Sequence, residues 1–530
     1  MRGRLLSLLT AIRLSVPGIV LLLFCCSLAT GCSPKDRMEG YLYYRLNHNP
    51  STLDPAHIVD VIGGSIACKL YNGLVKLDDK LNVIPDIAEK WQISSDGTLF
   101  TFSLKKHVYF SNNQEVSAID FKYSFQRILD PKGSSPNSWV LDAIDGAKDF
   151  MKGTADSVSG ISVIDRYTLQ IKLEKPFSPF LHLLTMTAGY VVPEQEVRKW
   201  GKEFSTHPVG TGPFLLTEWR HNDRLVLEQN KGYFDGKAKI RGLVYRIIPE
   251  DLTAMAEFEI GNLDVVSIPN AEYARYRHAE KWNQLLSSQQ GINTYYLGMN
   301  CSRPPFNDVM LRKAVFHAID RDKILRTFFE RRGRLASGPV PDNLRAWQAP
   351  PQRAYDPDLA RKMVADAGMR GREITFYVTA DQEVVDIAEI IQGYLVQSGL
   401  SVKIRQLEWS AYKAAINRGE ADMFWISWWA DYPDPENFLF PLFHSTNHGP
   451  AGNRTRYTNP EVDRLIEIGQ KSLDPSRRNE SYMTAERIIV DEVPWVYFWH
   501  KNDYALRQPA LKNYRIYPIY TIDKGTEVSF

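Results

Sequence analysis

Trp425–Phe438 reads WISWWADYPDPENF, and the fold turns on how its two halves differ. The apolar run Met423–Trp429 is long enough for a buried strand and too short for an ordinary helix. It stops at Asp431, which is followed by Pro433 and Pro435. A carboxylate therefore stands where a buried strand ends. In open α/β sheets, strand ends face the crevices that hold ligands, and a carboxylate beside Trp428 and Trp429 suits a cation such as an ammonium group. The competing reading of the same residues makes the tryptophans core and Asp431 the cap of a turn.

Working outward, the stretch closes a run of alternating helices and strands. Leu311, Ala314, Val315, Ala318 and Ile319 fall on one helical face, and Ile387, Ile390, Ile391, Tyr394 and Leu395 on another. Asp356, Pro357 and Asp358 supply an N-cap, a first-turn proline and an early acid, Gly368 supplies the stop, and Asn459-Pro460 repeats the start signal. Ile374–Val378 and Val402–Leu407 read as strands between these helices, so Asp431 ends the third strand of an α/β domain. Upstream the texture is α+β. Phe100, Phe102 and Leu104 alternate with polar residues, Val108 and Phe110 continue the phase as a strand pair, and Tyr167, Leu169, Ile171 and Leu173 repeat it around a helix at Ala118–Leu129. The run HPVGTGPFLL, His207–Leu216, lacks the Lys-Ser/Thr of a phosphate loop and reads as a turn into a strand.

The chain has 530 residues, 44% hydrophobic and 24% charged, which suits a soluble globular protein of several domains. Arg2, Arg4 and Arg13 precede an apolar run, Val16–Leu28, that is broken by Pro17 and short for a membrane span, as in a signal peptide. SLATGC, Ser27–Cys32, resembles a bacterial lipobox, with Ala29 where leucine is commoner. The resemblance implies cleavage before a lipidated Cys32, export and a membrane-anchored lipoprotein; the alternative is an ordinary signal peptide with an incidental cysteine. Without residues 1–31 the chain carries 61 basic against 62 acidic residues, so nothing draws it to nucleic acid. Cys68 and Cys301 remain within the fold, as one disulfide or as two buried thiols.

No HExxH, GxSxG, Walker lysine or CxxC pattern occurs in the mature chain, so the sequence offers no enzyme chemistry and no cofactor site. His444 and His448 are four apart, but the residues around them form a loop, and two exposed histidines are expected there rather than a metal site.

Eight segments occur in a fixed order: NPSTLDPA (Asn49–Ala56), YNGL (Tyr71–Leu74), Pro85–Asn112, DFKYSFQRILDP (Asp120–Pro131), PVGTGPF (Pro208–Phe214), LRKAVFHAIDRDKI (Leu311–Ile324), YDPDLARKMVADAG (Tyr355–Gly368) and WWADYPDPENF (Trp428–Phe438). Over nearly all of the mature sequence the chain resembles the extracytoplasmic peptide-binding proteins of ABC importers, the dipeptide and oligopeptide class of solute-binding family 5. The resemblance implies an α/β, bilobed, periplasmic-binding-protein-like fold with a discontinuous first lobe and an extra α+β domain. Its implied divisions are a signal peptide at 1–31, a linker at 32–40, first-lobe parts at 41–73, 201–297 and 495–530, the extra domain at 74–200, and the second lobe at 298–494.

By the same resemblance, a peptide lies in the cleft as an added strand. It bonds to backbone near Val61 on one lobe and at Ser427 and Trp429 on the other, a permissive way to hold any peptide. Asp431 matches the family's acid for the peptide α-ammonium, Trp428 its adjacent tryptophan, and Trp409 stands either in a pocket or in the core. The family's basic anchors for the ligand carboxylate have no counterpart at Trp425 or at Thr379–Gln382. Longer peptides, or another amine-bearing solute, therefore fit better than strict dipeptides. The implied partners are a peptide ligand and ABC permease subunits, with the protein a monomer. A nickel-chelate binder and a transporter-independent surface sensor are the alternatives.

Overall fold

The computed structural model describes residues 37–530, so the leader and Cys32 lie outside the described residues. Met423–Trp429 forms a strand with the bounds its apolar run predicts. Among the described residues it belongs to an eight-stranded sheet, antiparallel to Asn293–Met299 on one side and briefly parallel to Glu373–Thr379 on the other. Ser401–Leu407 extends the sheet beyond Glu373–Thr379, again in parallel. Helices alternate with these strands as the sequence indicates. Pro357–Asp366 starts where the Asp356 carboxylate accepts from Leu359 N at 2.9 Å, and Gly368 follows it with a φ of +64°, a conformation that favours glycine. Trp425, Trp495 and Trp499 are buried in the core of this second lobe.

The first lobe carries a four-stranded sheet in the order Tyr41–Leu46, Gly242–Ile247, Arg224–Gln229, Phe214–Arg220. Its parallel pair joins the start of the described chain to its middle. The glycine-rich run before Phe214 is thus a turn into a strand, and it packs against the end of helix Val61–Leu70, where a side chain at Gly210 or Gly212 would strike the backbone at Leu70.

A division at residue 495 does not match the strands. Trp495–Arg507 is one continuous strand: Trp495–Trp499 pair with Tyr295–Gly298 in the second lobe, while Asn502–Arg507 pair with Leu286–Gln290 and Val265–Ser267. Beyond Arg507 the tail is irregular rather than strand-rich, with one short turn at Tyr520–Ile522.

A second four-stranded sheet has the order Ala88–Ile93, Leu99–Leu104, Thr168–Lys172, Ile161–Asp165, with Ala118–Leu129 packed on it. Val108 and Phe110 are buried here but do not form the expected strand partner. The pairing of Leu99–Leu104 goes to Ala88–Ile93 and Thr168–Lys172, leaving only an isolated bridge at Tyr109 and Glu115. Tyr432, one residue after Asp431, is buried in this unit's core.

A buried polar cluster fastens the unit to the second lobe. Arg478 donates to both Asp434 oxygens at 2.6 Å and to Ser178 Oγ at 2.8 Å, and His182 Nδ1 lies 3.4 Å from Asp434. Burial alone would raise the Asp434 carboxyl; Arg478 and then His182 hold it below the ordinary range. Ser178 N also donates to Gln470 O at 2.7 Å. Cys68 and Cys301 are both free thiols, so no disulfide joins them.

Candidate ligand-binding site

The open part of the Met423–Trp429 strand lies at its C-terminal end. Glu373–Thr379 pairs only with Met423 and Phe424, so the outer edge beyond Phe424 has no strand partner. Ala430 N donates to Ile292 O at 2.9 Å, and antiparallel pairing alternates. Trp428 and Ile426 therefore turn their backbone groups toward Asn293–Met299, while Ser427 and Trp429 turn theirs outward. Tyr412 OH donates to Trp425 O and closes the edge at that point. What is left is a short template for an added strand, with backbone groups of Ser427 and Trp429 free to pair.

Asp431 stands just past this edge. Asn437, in the first turn of Glu436–Phe443, takes Trp428 Nε1 at 3.2 Å and Asp431 N at 3.1 Å on its Oδ1, and its Nδ2 donates to Asp431 Oδ2 at 3.5 Å. Among the described residues Asp431 has no ion pair. Its carboxylate is reached by water but lies on a concave surface, where surrounding protein strips part of its hydration. That raises its pKa, and the Asn437 bond opposes the rise.

A cavity of about 760 Å³ opens beside Asp431 and Trp428, walled by Trp139 and Phe177 on one side and by Asn437 and Phe440 on the other. Its size falls within the range of small-molecule sites, about 300–1,000 Å³. Glu436 lines it too. Its oxygens are taken by Tyr432 OH and by Gln470 Nε2 at 2.6 Å, and burial pushes its carboxyl up to about 7.

Across the cleft, Val61 opens helix Val61–Leu70 and is 67% exposed, with Asp60 capping Gly63 N at 2.7 Å. Tyr520 packs against Gly64, where any side chain would collide with its ring. Burial raises the Tyr520 hydroxyl, and Cys68, Asp431 and Asp60 raise it further. No pattern in the sequence marks Tyr520, which lies far along the chain from both neighbours. Asn437 was within the quoted stretch, but only the backward fold of its helix reveals its role.

Trp409 is not a core residue. It is 55% exposed at the start of Trp409–Arg418, its ring stacked 6.1 Å from Tyr412, with Lys413 Nζ 5.4 Å above it. Lys413 is a half-buried cation near the closed end of the strand edge, and burial, aided by Arg454, brings its pKa down to about 8. Trp425 is core, 4.8 Å from Phe498. His444 is buried rather than exposed, bonded at 2.8 Å to Thr446 Oγ1, and His448 Nε2 meets Tyr457 O at 3.1 Å. Among the described residues no cluster of metal-ligating side chains occurs.

The model of the bacterial extracellular solute-binding proteins, family 5, matches residues 82–450. The chain belongs to that family. The family-5 chain is 28% identical over 491 residues to heme-binding protein A of Haemophilus influenzae, covering 88% of each chain. It is 27% identical over 472 residues to the dipeptide-binding protein of Escherichia coli K12, covering 85% of this chain and 87% of that one. Among solved structures, the periplasmic murein tripeptide binding protein MppA in its unliganded open form aligns with a TM-score of 0.81 at 26% identity, over 93% of this chain and 98% of that one. The two-lobed α/β fold is that of this family. Its members act outside the cytoplasm, and these relatives are binding proteins rather than enzymes.

Proposed function

We propose that this family-5 protein is the substrate-binding component of an ABC importer that captures oligopeptides between its lobes and passes them to a membrane permease. One observation carries the reading: an open strand edge, with outward-facing backbone at Ser427 and Trp429, ends at a carboxylate that has no cation of its own. A peptide supplies both complements, a backbone to pair and an ammonium to neutralise. Val61 and Tyr520 offer the opposing face, Trp428 and Trp139 the walls for a first side chain, and Trp409 with Lys413 the far end.

The division into a discontinuous first lobe, an accessory domain and a second lobe belongs to the same proposal, as do a monomeric state and anchorage through a lipid on Cys32. Two of these relatives are named for peptides, which supports a solute of peptide type; the third is named for heme, an iron chelate without an amine, and lends that reading nothing. Native mass spectrometry of the protein purified from its own cells tests the reading. A bound peptide released on unfolding supports it, whereas a non-peptide solute in its place refutes it.

A further inference from the structure

Among the described residues Asn437 bonds to both Trp428 and Asp431. Its amide is nearly fully buried, 3% exposed, in the first helical turn after the loop. The donors decide which way the amide points. Trp428 Nε1 and the Asp431 backbone N can only donate, so the oxygen must face them, and that turns the NH₂ toward the Asp431 carboxylate.

We propose that Asn437 is the positioning residue of the amine site: it fixes the carboxylate of Asp431 and the indole plane of Trp428 relative to each other before any ligand arrives. The loop between them needs such a tie. Asp431 follows the last strand residue by two positions, and Tyr432 is drawn the other way, into the core of the neighbouring unit. Without the amide, nothing on the second lobe would hold the carboxylate toward the cleft. The charged and titratable groups around it are Tyr520 from the opposite lobe, Glu436 on the helix of Asn437 itself, and Asp142, Lys148, Glu174, Lys175 and Lys471 on the cavity walls. None of these bonds the carboxylate among the described residues. The binding half of the proposal rests on the peptide reading above; the orientation half does not.

The test has two arms. In ligand-free protein, carbon NMR follows the Asp431 carboxyl across pH while the Trp428 indole N–H resonance is recorded, for wild type, Asn437→Leu and Asn437→Asp. Asn437→Leu should raise the Asp431 midpoint and move the indole resonance. Asn437→Asp keeps both acceptor bonds but replaces the donor by an acid, so the indole resonance should hold while the midpoint rises. In the second arm, calorimetry uses Ala-Ala-Ala and its N-acetylated form at neutral pH. Asn437→Leu should weaken the free-amine form about tenfold or more, as expected for losing bonds to a charged group, and the acetylated form clearly less.

An unmoved Asp431 midpoint in both variants overturns the proposal. So does equal weakening of both peptide forms, which would make Asn437 a general structural residue. If wild type binds neither form, the peptide reading falls, and the NMR arm alone still decides the role of Asn437.

Discussion

Asp431→Asn removes one charge and leaves the side chain's size nearly intact, so it isolates the electrostatic part of ligand capture. An ammonium about 3 Å from the carboxylate gains roughly 5 kcal/mol at an effective dielectric near 20. Removing water from the ammonium takes back several kcal/mol, and removing it from Asp431 takes back less, because the empty site has already stripped part of that hydration, as its raised pKa shows. Among the described residues no cation is paired with Asp431. Truncating one partner of a buried pair costs about 2–5 kcal/mol, and the water-reached position of Asp431 puts this case at the lower end, about 2–3 kcal/mol or roughly 30- to 150-fold in Kd. Calorimetry with Ala-Ala-Ala and N-acetyl-Ala-Ala-Ala, against wild type and variant, closes a double cycle. Wild type should lose most of its affinity on acetylation, and Asp431→Asn should lose little more. The pH dependence has a fixed sign: affinity for the free amine falls as pH drops through the raised Asp431 pKa, because protonation removes the charge. If acetylation costs the variant as much as wild type, Asp431 is a turn cap and the electrostatic reasoning fails.

Glu436→Gln should flatten a pH slope in stability. The folded carboxyl is held up to about 7 against an ordinary 4.5, so the folded state binds the proton more tightly and wild type loses stability as pH rises from about 4.5 to about 7. The total is of order 3 kcal/mol for so buried a group, and melting temperatures from pH 4 to 8 check it. Trp139→Ala should lower any preference for an aromatic first residue, read as the Kd ratio of Trp-Ala-Ala to Ala-Ala-Ala, by about tenfold if the indole forms one wall of that subsite; an unchanged ratio removes Trp139 from the site. Cys32→Ser should abolish metabolic labelling with fatty acid, and equal labelling of variant and wild type would refute lipidation at that cysteine.

Much of the second lobe was legible because its signals are local. Seven successive apolar or small residues closed off by nearby prolines favour a buried strand, and Asp356 with Pro357 and Asp358 ahead of an amphipathic run favours a helix start. The edge beyond Phe424 was not legible, because it depends on where Glu373–Thr379 parts from Met423–Trp429 and on Tyr412 reaching Trp425, contacts between distant segments. Trp409 illustrates the same limit: its residue type suits core or pocket alike, and only the turn that begins at Glu408 leaves it exposed. Val108 and Phe110 kept a strand's alternation without a neighbouring strand to bond to, so side-chain burial survived and the ladder did not. His444 failed as an exposed residue because its loop folds back under Asp463 and Glu467, with Ser445 bonded to Asp463.

The strand Trp495–Arg507 bears on how the molecule is made. It is the neighbour of Asn293–Met299 in one lobe and of Leu286–Gln290 in the other, and the tail after it delivers Tyr520 onto Gly64. Segments synthesised first and in the middle must therefore wait for nearly the last to emerge before either lobe is complete. A chain with this order stays unfinished, with open sheet edges, until Trp495–Arg507 has been made. That delay suits a polypeptide that has to be threaded through a membrane before it folds, and it leaves the newborn chain dependent on whatever shields those edges in the meantime.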